Sequence, residues 1–418
     1  MAKIIDLTPK YFPIIPAKEK IELPVSFDDI ELSGIKTGNL IREINDASKL
    51  KTAAKIADCI VAKSGGDYTS IQAALDNGEK NIFIKKGTYE ISSPITIMSS
   101  GVTIKGESHT NTIIKLANGA NCHGIVIGDG YTNLYDIIIE DIQIDGNKVN
   151  NTGSLYGIYL YGAAPSQTTE IFDSTIRNCV IKDFTEIGIA TSYVENILIS
   201  DNLITGNPYG LWLANDKSDR IIGNIIRDNT TTGLYLADVK WVTVSANNIK
   251  NNTSYEIYIT GGEQNTISGN SLGGPGNATA IYATSCSDIT ITGNQIFGST
   301  TNGIHIDGSA GNVVSGNTLD TVAYGNYGIY LQSSHENIVI GNHVRLFTHG
   351  IFLASADKNI ILGNRARDNN GYGINISDTT CDDNLIVKNY LQDNIVGAIN
   401  DAGTGTILVA STVNDNVV

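Results

Sequence analysis

The 418-residue chain holds 43 Asp and Glu against 28 Lys and Arg, a formal net charge of −15. That balance argues against nucleic acid or an anionic membrane surface as the main partner, because both recruit basic patches. No run of eighteen apolar residues occurs, so no membrane insertion by a helix is expected.

The opening "MAKIIDLTPKYFPIIPAKEK" lacks the apolar core of a secretion signal. Synthesis in a reducing cytosol is therefore expected. The five cysteines (Cys59, Cys122, Cys179, Cys286, Cys381) are scattered, with no CxxC. They read as reduced, buried thiols rather than as a disulfide framework or a zinc site. Residues 1–60 hold four of the eight prolines (Pro9, Pro13, Pro16, Pro24) and no repeat. They are expected to form an attachment or packing segment, with a short helix over Asn39–Asp58. Next, "DYTSIQAALDN" reads as a short capping helix with Asp67 or Thr69 near its N-cap. "NIFIKKGTYEI" then reads as the start of the first coil.

Beyond it the chain repeats. A Gly-Φ-x-Φ run, Φ being aliphatic, recurs at Gly157, Gly210, Gly233, Gly303, Gly328, Gly350 and Gly373, with looser copies at Gly188, Glu256 and Ala280. An Asn recurs at 178, 202, 224, 247, 270, 294, 317, 342, 364 and 389, spaced by 22 to 25 residues. Three residues before it stands an aliphatic side chain in nine of ten cases, Thr175 being the exception. Two residues after it the side chain is apolar in all ten. Those apolar positions are five apart, so on a flat strand they would face opposite sides. Both reach one core only if the chain bends between them, and Gly and Asn tolerate the left-handed conformation of such a bend.

Each repeat of about 23 residues therefore reads as three short strands. Such strands cannot bury a face alone and must stack on the next copy. The expected fold is all-β: a single-stranded parallel β-helix with an Asn ladder. A β-propeller needs blades of about 40 residues and does not fit.

A three-strand coil of this length with an Asn ladder resembles the right-handed parallel β-helix of the pectate lyase-like superfamily. The segment "VAKSGGDYTSIQAALDNGEKNIFIKKGTYEI" is similar to the opening of pectin methylesterases and phage tailspikes in that superfamily. The resemblance covers residues 61–418, the expected β-helix domain. It implies that the strand preceding the one that leads into the Asn bend lines a saccharide groove. It also implies a homotrimer, and a virion or cell surface as the final location, for the tailspike-like members.

In Gly-Φ-x-Φ the aliphatics face inward and x faces out. Down the stack x is Tyr159, Ala190, Trp212, Tyr235, Tyr258, Tyr282, His305, Tyr330, Phe352 and Asn375. Such a column offers flat apolar faces to sugar rings, although aromatics also stack in parallel columns for structural reasons. Tyr159, Trp212, Tyr235, Tyr258, Tyr282, Tyr330 and Phe352 are the expected carbohydrate contacts.

Two catalytic candidates stand beside them. His305 and Asp307 share a strand, with Tyr282 and Tyr330 above and below, a group able to move protons as in uronate lyases or epimerases. Asp-Gly at 307–308 also reads as a solvated turn. Asp216 and Asp238, with Lys240, read as turn residues one coil apart, a spacing suited to glycoside hydrolysis. Asp183 and Glu186 make a weaker acidic spot. The Asp-Pro-His motif of alginate epimerases is absent, as are the signatures of polygalacturonases and pectin methylesterases and the Asp-rich calcium site of pectate lyases. No metal or cofactor is expected. The leading expectation is a tailspike- or fibre-like protein that binds polysaccharide or a cell-surface glycan. A polysaccharide-active enzyme and a purely structural solenoid are the alternatives.

Overall fold

The computed structural model describes residues 31–32, 35–36, 57–162, 171–274, 279–322, 324–409 and the backbone of 412–414. The chain divides at Asp58 into two compact units. In the first, Glu31–Leu32 pairs antiparallel with Ile35–Lys36. The helix expected over Asn39–Asp58 falls almost wholly outside the described residues.

The second unit is a parallel β-solenoid. Three long sheets run its length, with 15, 14 and 13 strands, here called the first, second and third. One coil shows the pattern. Arg220–Ile222 lies in the first sheet, Ile225–Arg227 in the second and Thr232–Ala237 in the third; Thr243–Ser245 then returns to the first. Each strand pairs in parallel with its counterpart one coil away. Most strands of three residues bury one or two of them and those of six bury three to five, so the apolar columns, not single strands, make the core. Ile221 and Ile226, five apart across the bend, are both fully buried.

The bend explains how. The residue before each ladder Asn is left-handed: Asp201, Gly223, Ala246, Gly269, Gly293, Gly316, Gly341, Gly363 and Lys388, with φ between 48° and 70°. From Asn202 to Asn364 each Nδ2 donates to the Oδ1 of the next Asn at 2.9–3.0 Å. The same Oδ1 also accepts the backbone N–H of the Asn before it: Asn224 N–H donates to Asn247 Oδ1 at 2.9 Å. A buried amide column thus satisfies the backbone at the corner it creates.

Asn178 is not part of it. Strand pairing sets Arg177 opposite Ser200, so the ladder position is Cys179, whose N–H donates to Asn202 Oδ1 at 2.9 Å. Asn178 instead takes the left-handed position and is exposed. Thr175, the one exception to the aliphatic rule, marked this one-residue offset; Ile176 is the true core position. Two further amide columns went unread: Asn207, Asn229 and Asn252 after the second sheet, and Asn312, Asn337, Asn359 and Asn384 before the first.

The capping helix spans Ile71–Asp76. Its N-cap is Ser70, whose Oγ accepts Ala73 N–H, and not Asp67 or Thr69. Asp67 instead accepts Ile60 N–H at 2.8 Å. The first strand is Cys59–Val61, which precedes the helix and pairs with Asn81–Ile84, so the first coil opens there and not at Asn81. Gln72 Oε1 accepts Thr96 N–H at 2.7 Å, covering Ile95–Ile97, the terminal strand of the third sheet. An open sheet edge is closed by a side chain. All five cysteines are free thiols, and all but the half-buried Cys122 are buried.

Candidate functional site

The third sheet carries the aromatic column, and its pairing places every member in register. Tyr159 lies opposite Ala190, Ala190 opposite Trp212, then Tyr235, Tyr258, Tyr282, His305, Tyr330, Phe352 and Asn375 in turn. Glycine stands two positions earlier in most copies, Glu256 and Ala280 excepted, and the next coil crosses close there. A Cβ on Gly210 would lie 2.5 Å from the Gly233 carbonyl oxygen and 2.6 Å from Ile226 Cγ2. The close crossing fixes the strand's height, and so fixes where x points.

The rings touch along the column. Trp212 and Tyr235 have centroids 4.3 Å apart, Tyr235 and Tyr258 4.8 Å, and Tyr258 and Tyr282 5.2 Å. His305 follows at 4.7 Å from Tyr282 and lies stacked 4.4 Å from Tyr330. From Trp212 to Phe352 the track spans six coil steps, roughly 29 Å at about 4.8 Å each. The rings face outward and are half-buried.

Their burial comes from a second column that sequence reading missed, two residues before the Φ-x-Φ. It holds Tyr156, Tyr209, Tyr255, Tyr327, His349 and Tyr372, with smaller side chains between. Tyr209 meets Trp212 edge-on at 4.9 Å, and Tyr327 stacks on Phe352 at 4.2 Å. The recurrent Tyr-Gly before the motif was the available signal. His349 and His123 are held alike: each Nδ1 accepts a backbone N–H at 3.0 Å, from Tyr372 and Tyr156 respectively. Burial lowers the pKa of both.

Ala190 interrupts the track. Only 4% exposed, it floors a notch of about 170 Å³ walled by Tyr156, Tyr159 and Trp212. Glu186 lines the same notch, and its Oε2 is buried without a hydrogen-bond partner among the described residues. Burial, with smaller contributions from neighbouring charges, pushes the Tyr159 hydroxyl up to about 12.

The structure brings His305, Asp307, Tyr282 and Tyr330 together. Tyr282 Oη donates to Asp307 Oδ2 at 2.9 Å, and His305 Nε2 lies 3.1 Å from Gln332 Oε1. Asp307 ends the strand Asn302–Asp307 rather than forming a solvated turn. Burial, then the hydrogen bond to Asp307, pushes Tyr282 up to about 12. Burial lowers the pKa of His305, against the pull of Asp307.

Asp216 and Asp238 are not brought together as a carboxylate pair. Asp216 is 0% exposed and faces the core, its carboxylate accepting Val194 N–H and Thr191 Oγ1–H. Asp238 is exposed on the outside of the next turn. Lys240 bonds Glu263 at 2.8 Å instead. The partner of Asp216 is a residue the sequence did not flag: Asp219, also 0% exposed, whose Oδ2 is unpartnered among the described residues. Burial holds Asp216 near pH 7; burial and the Asp216 charge hold Asp219 well above the ordinary range. This acid pair lies inside the solenoid, out of reach of a polymer.

Residues 100–275 match the family model described as "Right handed beta helix region". The chain carries a right-handed β-helix. Residues 274–416 of this β-helix match the family model "Periplasmic copper-binding protein (NosD)". Alginate lyase 7 of Azotobacter vinelandii is 26% identical over 178 residues, 40% of this chain and 20% of that protein; the chain thus spans about a fifth of that relative's length. Among solved structures, the A-module of the mannuronan C-5 epimerase AlgE6 of Azotobacter vinelandii superposes with a TM-score of 0.60 at 16% identity, covering 82% of this chain and 94% of the module. The Dettilon tailspike protein superposes with a TM-score of 0.57 at 16% identity, covering 82% of this chain and 68% of the tailspike. At that identity both likenesses show the fold alone.

Copper needs convergent imidazole or sulfur donors. No three His, Cys, Asp or Glu side chains gather among the described residues. His305 and His349 lie in different columns of the third sheet, and His343 accepts from Arg367 Nε at 3.2 Å on the second. The residues do not fit a copper centre.

Proposed function

We propose that this β-helix recognises a polysaccharide along its third sheet. The contacts are Tyr159, Trp212, Tyr235, Tyr258, Tyr282, Tyr330 and Phe352. The observation that carries the reading is the column of outward rings, touching without a break from Trp212 to Phe352 in a long shallow face. Stacked rings at coil spacing present a ready-made apolar ribbon, held rigid by the sheet, so binding orders few side chains. The names of the relatives, a tailspike and alginate-processing proteins, point to the same class of ligand. The periplasmic family description supports action outside the cytosol. A fibre- or tailspike-like surface protein, assembled as a homotrimer, is the form we propose.

Affinity electrophoresis against a polysaccharide panel tests the reading. The Trp212→Ala/Tyr235→Ala pair is expected to abolish retention while leaving thermal unfolding nearly unchanged. Retention equal to wild type would sink the proposal. If the pair instead dissociates a trimer in sedimentation velocity, the face is an interface and not a groove.

A second reading is favoured by one cluster. His305 lies between two tyrosines, with Tyr282 bonded to Asp307, all on the proposed binding face. We propose it as the place for proton transfer at a bound sugar if the protein is an enzyme. A neutral His305 serves as base, and Tyr282, held protonated on Asp307, serves to position the sugar. New unsaturated-uronate absorbance or new reducing ends, lost in His305→Gln, would support this; a clean null across uronates and neutral glycans would count against it.

A further inference from the structure

None of the 13 strands of the third sheet contains Lys or Arg. The contrast lies on the second sheet, where Lys182, Arg227, Lys250, Arg345, Arg365 and Arg367 stand in its strands. Among the described residues, the charged side chains bordering the aromatic columns are acidic: Glu186 in the turn before Ile187–Ser192, Asp307 at a strand end, and Asp238 and Asp378 just past strand ends. The lysines of the following turn, Lys217 and Lys240, stand between Glu195 and Glu263 in a column of parallel bridges.

A polymer with one carboxylate per sugar would lay those charges in a half-buried aromatic groove without a counter-ion. Desolvating a carboxylate there is unfavourable, and the acidic border adds repulsion. An uncharged polymer meets neither obstacle. Its hydroxyls find a carboxyl group in the lining of the notch above Ala190, where Glu186 Oε2 has no hydrogen-bond partner among the described residues. An acceptor left unmade favours a ligand that opens onto it and supplies its hydrogen bond.

We propose that the aromatic sheet takes an uncharged glycan and that the notch above Ala190 is its anchoring subsite. A single pyranose ring lies there between Tyr159 and Trp212 and donates hydroxyl protons to Glu186. The proposal rests on the glycan-binding reading above and names the class of polymer for that site. It separates this protein from its alginate-named relatives by charge, on a shared fold.

The test is retention on neutral glucans, galactans and mannans beside alginate and polygalacturonate, at low and high salt. Neutral-glycan binding that persists in high salt is expected, since uncharged contacts are not screened. Ala190→Phe completes the column, fills the notch, and is expected to weaken that binding roughly tenfold or more. Glu186→Ala is expected to do the same by removing that acceptor. Thermal unfolding reports that both variants remain folded. Trp212-dependent binding of a polyuronate but of no neutral polymer overturns this inference and leaves the glycan-binding reading standing. Absence of any glycan binding fells the broader reading instead. Neutral-glycan binding unchanged in both variants overturns the notch as subsite.

Discussion

Replacing Asp219 by Asn should stabilise the protein, and more so as pH rises. Asp219 occupies the column that later carries Asn265, Asn312, Asn337, Asn359 and Asn384. Its Oδ1 already accepts Ile197 N–H at 2.7 Å, as Asn265 Oδ1 accepts Val242 N–H at 2.9 Å. Asn265 also donates to the Val239 carbonyl at 3.0 Å; an amide at 219 would find the equivalent carbonyl of Val194. The carboxylate has no such bond for Oδ2. Protonated, it can imitate the amide; ionised, it leaves a buried acceptor unmade beside Asp216. Both acids have folded pKa values above their unfolded ones, so their stabilising contribution is full below about pH 4 and is lost as pH rises through the folded values. For Asp216 the rise from 3.8 to about 7 corresponds to roughly 4 kcal/mol, at 1.36 kcal/mol per pH unit. Asp219→Asn removes one charge of the pair and the unmade bond, a gain of about 1–3 kcal/mol above neutrality and little below about pH 4. Urea unfolding of both proteins at the two pH values measures it. Wild-type stability that is flat with pH, or a variant less stable than wild type above neutrality, would refute the reasoning.

Asn270→Ala should cost about 2–4 kcal/mol, because it breaks bonds to Asn247, Asn294 and Val244 in a dry column. Asn178→Ala, outside the ladder, should cost far less, and urea midpoints compare the two. Gly210→Val should fail to fold or unfold at much lower denaturant, since its Cβ alone meets backbone at 2.5 Å. Circular dichroism during a urea titration reports it. Alkylation of the native protein should modify Cys122 first: burial pushes Cys179 and Cys286 up to about 12 and about 11, and mass spectrometry of time points orders the sites. His305 should remain neutral at pH values where an exposed histidine is already charged, because burial lowers its pKa; its ring resonances across a pH titration test this.

The coil was legible because stacking forces like positions into columns. A period of 22 to 25 residues, an aliphatic before the Asn and an apolar residue after it sufficed for fold, sheet assignment and the outward column. The errors came where one copy broke the rule. Asn178 satisfied the letter of the pattern but not its register, and only Thr175 betrayed it. Asp216 looked like a turn acid because acids in turns are usually solvated. Its column mates Val239, Cys286 and Ser309 are buried, and comparison down the column, instead of along the turn, would have shown it facing inward. Asp219 was missed for the same reason. The second aromatic column and the notch escaped because they depend on how neighbouring rings lean, which no single-position tally records.

The uniform step between coils has an evolutionary consequence. Each coil adds about 23 residues, one outward ring position and one rung of the amide column, and contacts only the coils on either side. Duplication or loss of a coil within the gene would lengthen or shorten the ribbon without rotating any face. A lineage could therefore tune the length of the aromatic ribbon by copying a short stretch of DNA, and change its surface chemistry separately by altering a single residue of the column such as Ala190.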